Sequence, residues 1–153
     1  MTKHAFIIAT AGLLTAFTFS CCKNSKNMSK KGEIKKEIIP VAMSNDFAKP
    51  ENNDQFNVKS MSIDGDIATL YVNYQGGCKE HTFTAHFNGM YMKSLPPRAN
   101  VFLNHISNGD ECRQVIDDTL YIDLTTVRYY KDKPGTVIVG FNGTSNTLEY
   151  NHK

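Results

Sequence analysis

Beyond residue 55 the chain alternates apolar and polar positions with a period of two. Residues 56–63 alternate weakly and end at Asp64-Gly65. Asp-Gly between two alternating runs predicts a tight hairpin, because both central residues of a type I′ turn take positive φ. Residues 67–74 follow, with Ala68, Leu70, Val72 and Tyr74 on one face and Thr69, Tyr71 and Asn73 on the other. Gln75-Gly76-Gly77 breaks that strand. Residues 80–87 place His81, Phe83, Ala85 and Phe87 on one face, and Asn88-Gly89 reads as a further turn. Leu95-Pro96-Pro97 reads as a stiff loop that excludes both helix and central strand. Residues 100–107 carry Val101, Leu103 and His105 on one face, before Asn108-Gly109-Asp110 breaks the pattern again. Residues 119–125 turn Leu120, Ile122 and Leu124 inward, and segments 136–141 and 147–150 close the chain. The one place for a helical turn is 111–118.

This pattern predicts an all-β domain over residues 55–153, built from about seven short strands. The expected architecture is an antiparallel β-sandwich of Ig-like size, with a small β-barrel as the alternative. Residues 37–53 contain two prolines and show no clear period. They have room for a short edge strand near 38–43, where Pro40 argues against a central one.

The N-terminus carries a different signal. Lys3 and His4 precede an uncharged apolar run at 5–19, shorter than the roughly 20 residues a membrane-spanning helix needs. The run fits the core of a secretory signal. Thr18-Phe19-Ser20-Cys21 then puts a small residue before a cysteine, as bacterial lipoprotein signals do. Cys21 is the expected lipidated residue, with Cys22 as the alternative. The expected organisation is a signal peptide at 1–20, a lipidated tether at 21–54 and the β domain at 55–153.

Charge sharpens that division. Residues 23–36 hold six Lys and one Glu, whereas residues 37–153 hold 10 basic and 14 acidic side chains. A Lys-rich segment beside a lipid anchor is drawn to anionic head groups. For the whole chain, 17 basic and 15 acidic residues give a net charge of only +2, which does not point to a nucleic-acid partner.

Two of the four cysteines belong to the domain, Cys78 and Cys112. An exported chain favours a disulfide between them. Zinc is the alternative, since Cys78-x-x-His81 and His105-x6-Cys112 bring the donor types of a tetrahedral site into two segments. Free thiols are a third state. His81 and His105 sit on apolar strand faces, where a histidine is ordinarily a core residue with a backbone partner. His86 with Met90 and Met92 offers a weaker, cuprous-type set.

Gly76-Gly77-Cys78-x-x-His81-x-Phe83, then His105-x4-Asp110-x-Cys112 and Leu120-x-Ile122-Asp123-Leu124, resembles a group of bacterial lipoproteins of the Bacteroidetes that includes NigD-like proteins. The resemblance covers about residues 60–141. It implies a secreted β-sandwich with Cys78 and Cys112 paired, and it implies no activity. In that lineage Asp118-Thr119-Leu120 is similar to an O-glycosylation acceptor, with Thr119 carrying the glycan. Asn142-Gly143-Thr144 fits an N-glycosylation pattern and reads more simply as a turn. Surface export in the lineage follows a short acidic signal after the lipidated cysteine. The Lys-rich stretch here points instead to an outer-membrane protein facing the periplasm.

Nothing in the chain spells an enzyme. There is no G-x-S-x-G, H-E-x-x-H, P-loop or dinucleotide fingerprint. Asp64/Asp66 and Asp117-Asp118 read as solvated loop charges. No catalytic residue and no cofactor are expected. Three functions remain. One is a lipid-anchored, non-catalytic binding or accessory module that engages an envelope partner through its loops, with Tyr91 and Arg98 as anchors. The second is metal binding through Cys78, His81, His105 and Cys112. The third is a purely structural envelope protein.

Overall fold

The computed structural model describes residues 36–44, 53–131 and 133–153. The signal segment, Cys21, Cys22 and most of the Lys-rich tether lie outside the described residues. Eight strands form the fold: β1 (Ile38–Met43), β2 (Phe56–Asp64), β3 (Ile67–Gly76), β4 (Thr82–Met92), β5 (Arg98–Ile106), β6 (Gln114–Asp123), β7 (Gly135–Phe141) and β8 (Thr147–His152). A single 3₁₀ turn, Thr125–Val127, follows β6.

All eight strands belong to one sheet, in the order β2-β3-β6-β1-β4-β5-β7-β8. The β2–β3, β3–β6, β4–β5 and β7–β8 pairs are antiparallel. β1 runs parallel to both β6 and β4, and β5 runs parallel to β7. The outer strands curl back toward each other, and the Val58 N–H donates to the Gly143 carbonyl at 3.4 Å. The all-β expectation therefore holds in its barrel form, with eight strands rather than about seven. The sandwich does not form because β1 joins two half-sheets edge to edge instead of leaving them face to face.

β1 is the largest departure from the sequence reading. It falls in the segment assigned to the tether and is central, not an edge. Pro40 is tolerated by position. Ile38–Pro40 pairs with Tyr121–Asp123 of β6, and Val41–Met43 pairs with Ala85–Phe87 of β4. The missing N–H thus falls where the strand changes partner.

Two local expectations also change. Asn88-Gly89 is not a turn: β4 continues to Met92, and its register to β5 shifts between Phe87 and Tyr91. Gly89, at φ +77, supplies the bulge, and the Met90 N–H donates to Asn88 Oδ1. Segment 114–118 is strand, not helix, because it completes a ladder running from Ile67↔Asp123 to Gly76↔Gln114.

The core follows the alternation read from the sequence. Leu70 and Val72 of β3, Phe87 of β4, Val101 and Leu103 of β5, and Ile122 of β6 are buried together, with Val137, Val139 and Tyr150 from the last hairpin. Each Leu or Phe so covered contributes roughly 1.5–3 kcal/mol. Strand directions give the barrel two ends. Segments 76–81 and 107–113 and the entry to β1 lie at one. Turn 64–66, loop 93–97 and segment 124–134 lie at the other.

Candidate functional site

At the first end the cysteine–histidine motif forms a clasp. Cys78 and Cys112 are joined by a disulfide with a Cα–Cα distance of 5.9 Å. Asp110, between them in space, accepts the N–H groups of Cys78 and Lys79 on Oδ2 and that of Cys112 on Oδ1, each at 2.9 Å. These donors, the Cys112 N–H foremost, hold its carboxyl well below the usual carboxylate range against the opposing effect of desolvation. Lys79 Nζ donates to the Asn108 and Gly109 carbonyls and ties the two loops together.

Behind the disulfide lie two buried imidazoles. His81 Nδ1 and His105 Nε2 are 2.8 Å apart. His81 Nε2 faces Asp110 Oδ2 at 3.3 Å, and His105 Nδ1 faces the Asp54 carbonyl at 3.3 Å. Both outer partners only accept, so each outer contact needs a ring N–H and the middle contact needs one more. A further proton would set two N–H groups against each other. Burial pushes His105 toward its neutral form. Tyr74 stacks on His81 at 4.6 Å and Phe83 on His105 at 4.4 Å between ring centroids. Gly76 is required here, since a Cβ would lie 2.4 Å from His81 Nε2.

The four residues proposed as a zinc set do come together, but in another chemistry. The sulfurs are bonded to each other and offer no thiolate, and the two rings bond each other rather than facing one point. The His86, Met90 and Met92 set is not gathered either. His86 Nε2 contacts Thr84 Oγ1 at 2.9 Å, while Met90 and Met92 are exposed. A cleft of about 370 Å³ beside His105 is lined by polar groups, among them Gln55, Asn57, Asn73 and Gln75.

The structure also places the other sequence candidates. Thr119 is half-buried in β6, paired with Tyr71 of β3. Asn142 is spent on the backbone, accepting the Leu103 N–H and donating to the Leu103 carbonyl. Asp66 is not a solvated loop charge: Arg128 grips it with two bonds and the Tyr150 hydroxyl donates to it. Asp117 and Asp118 lie on β6, where they meet Lys59 and the Tyr74 hydroxyl.

Tyr91 is not a loop anchor. It is a half-buried β4 residue whose hydroxyl donates to the Val127 and Arg128 carbonyls. Its ring meets Tyr129 edge-on at 4.9 Å, and Tyr129 meets Tyr130 at 4.7 Å. The exposed apolar groups at this second end are Leu95, which is 100% exposed, with Met90, Met92, Tyr129 and Tyr130. Arg98, at the start of β5, is exposed beside them. The sequence reading missed Asp54 and Leu95 as well as the tyrosine pair. Tyr129-Tyr130 between short polar segments was the available signal.

No family model and no curated relative matches the sequence. Solved structures do match. A NigD-like immunity protein from Bacteroides caccae is 18% identical over 73% of this chain and 58% of its own, with a TM-score of 0.50. A protein of unknown function, DUF1344, from Bacteroides vulgatus is 14% identical over 76% of this chain and 56% of its own, with a TM-score of 0.47. The chain thus spans less than two thirds of either neighbour. The first likeness shows a shared fold with a NigD-like protein of Bacteroides.

Proposed function

We propose that the protein is a lipid-anchored, non-catalytic binding or accessory module of the bacterial cell envelope. It is held at the clasp end and engages a partner with the opposite end. The observation that carries this reading is the polarity of the barrel. β1, which continues from the Lys-rich tether, enters at the clasp end. The exposed Leu95 lies beyond the eleven residues of β4, about 35 Å of strand away. A lipid on Cys21 would then tether the domain through the strand that enters at the clasp end.

The chemistry of the clasp supports a binding role over a catalytic one. Its cysteines are oxidised, and its histidines bond each other, Asp110 and the Asp54 carbonyl, so neither ring stands ready as a general base. No cofactor and no nucleic acid enter the reading. A fold neighbour described as an immunity protein accords with action by binding.

The test uses the whole chain in a Gram-negative host fed labelled palmitate, with a photo-crosslinking side chain at position 95. Label lost on Cys21→Ala, together with a discrete protein adduct from position 95, supports the reading. Unlabelled wild-type protein overturns the anchor. Absence of any adduct favours the purely structural role.

A further inference from the structure

We propose that the Leu95 end is a docking surface for a protein partner that offers an apolar pocket rimmed by carboxylates. This rests on the binding-module reading above and names the chemistry of the partner.

Shape comes first. Leu95 cannot easily fold back onto the barrel. Pro96 and Pro97 stiffen the loop behind it. The Ser94 N–H donates to the Met92 carbonyl at 2.9 Å and its hydroxyl to the Pro96 carbonyl at 2.8 Å. The Ile138 N–H fastens the Pro97 carbonyl to β7 at 2.9 Å. A leucine held fully in water forgoes roughly 1.5–3 kcal/mol of burial, which a partner's pocket would recover with little ordering cost. At the same end, Tyr130 is 50% exposed and Tyr129 is 45% exposed, with Tyr129 steadied by its contact with Tyr91. Aromatics that share an end with an aliphatic knob are the composition of an interface centre.

Charge then selects the partner. Lys93, Arg98, Lys131 and Lys133 are all exposed at this end. Among the described residues none of them has a carboxylate within 4.0 Å, whereas Arg128 deeper in is already paired with Asp66. Asp132 lies outside the described residues. An apolar centre with a cationic rim is complemented by an acidic rim. Anionic lipid would also meet this charge, but membrane binding scales with the apolar area inserted, and one leucine at the tip of a stiff loop suits a protein pocket better than a bilayer.

The experiment carries the crosslinker at position 95 into envelopes and maps the adduct by mass spectrometry. We expect one protein whose crosslinked peptide is flanked by Asp or Glu. We expect the adduct yield to fall about tenfold in K131E/K133E, the scale of losing a few rim charges, and to be unchanged in E80K at the clasp end. Intact mass and thermal melting confirm that each variant is folded. An adduct that ignores K131E/K133E and added salt overturns the acidic rim and leaves the binding reading standing. No adduct at all overturns both. An adduct with a second copy of this chain, or binding of the purified domain to phosphatidylglycerol vesicles through Leu95, replaces the proposed partner with another.

Discussion

Gly76 shows how one missing atom shapes the clasp. His81 cannot yield to a new methyl group, because one ring nitrogen meets His105, the other Asp110, and Tyr74 covers the face. Gly76→Ala should cost about 2 kcal/mol and lower the melting temperature by several degrees, with the disulfide intact by mass. A melting point equal to that of the wild type would show that the histidine pair is loosely held. His152 is the opposite case. It is buried at the end of β8, and among the described residues neither ring nitrogen has a hydrogen-bond partner. An unsatisfied buried polar group costs about 1–3 kcal/mol, so His152→Leu should melt at or above the wild-type temperature at neutral pH. A clear loss instead would reveal a partner for those nitrogens, such as an ordered water. Most of the clasp was legible in the sequence, because its residues lie in two short motifs. Asp54 was not, since it acts partly through its backbone carbonyl, which carries no side-chain signature.

The elements were legible where the alternation is long and local turns mark its ends, as in β3 with Ala68, Leu70 and Val72 inward. For β1 the strand itself was legible at 38–43 but its central place was not, for a physical reason. It is six residues long with one buried residue, Val41. Its partners are parallel and distant in sequence, Val41↔Ala85 and Ile39↔Ile122, so no turn announces them. Yet β1 is the strand whose two ladders join β2-β3-β6 to β4-β5-β7-β8 within the sheet. A chain that begins at residue 55, the boundary expected from the sequence, should therefore show no cooperative unfolding by circular dichroism. One that begins at residue 34 should unfold in a single step. If the shorter chain melts as well as the longer, β1 does not hold the two halves together. The disulfide acts at the same scale, closing a loop with a sequence separation of 34. Cys112→Ser should cost about 3–4 kcal/mol on the chain-entropy account, and the intact wild-type mass should be two hydrogens short of the reduced value.

At the scale of the whole molecule, acid should act on both ends of the barrel, in two stages. Burial depresses the pKa of His105 at the clasp and of His152 at the far end below the ordinary 6.5. Between the folded and unfolded values each ring is neutral in the fold and charged in the unfolded chain. The unfolded state then binds more protons, so stability falls as pH drops below about 6.5 and stops falling once the folded values are passed. The carboxyls follow. Asp110 is held low by the Cys112, Lys79 and Cys78 N–H groups, Asp54 by Ser107, and Asp66 by Arg128 and Tyr150. Their stabilisation is present above the ordinary value of 3.8 and is lost as pH falls through their depressed values. Urea unfolding from neutrality down to about pH 3 should therefore show one decline below pH 6.5 and a second below pH 3.8. In His152→Leu the first decline should shrink and the second remain, because the two stages belong to different groups. A stability that stays constant between about pH 7 and 5 would mean that neither buried imidazole is kept neutral by the fold.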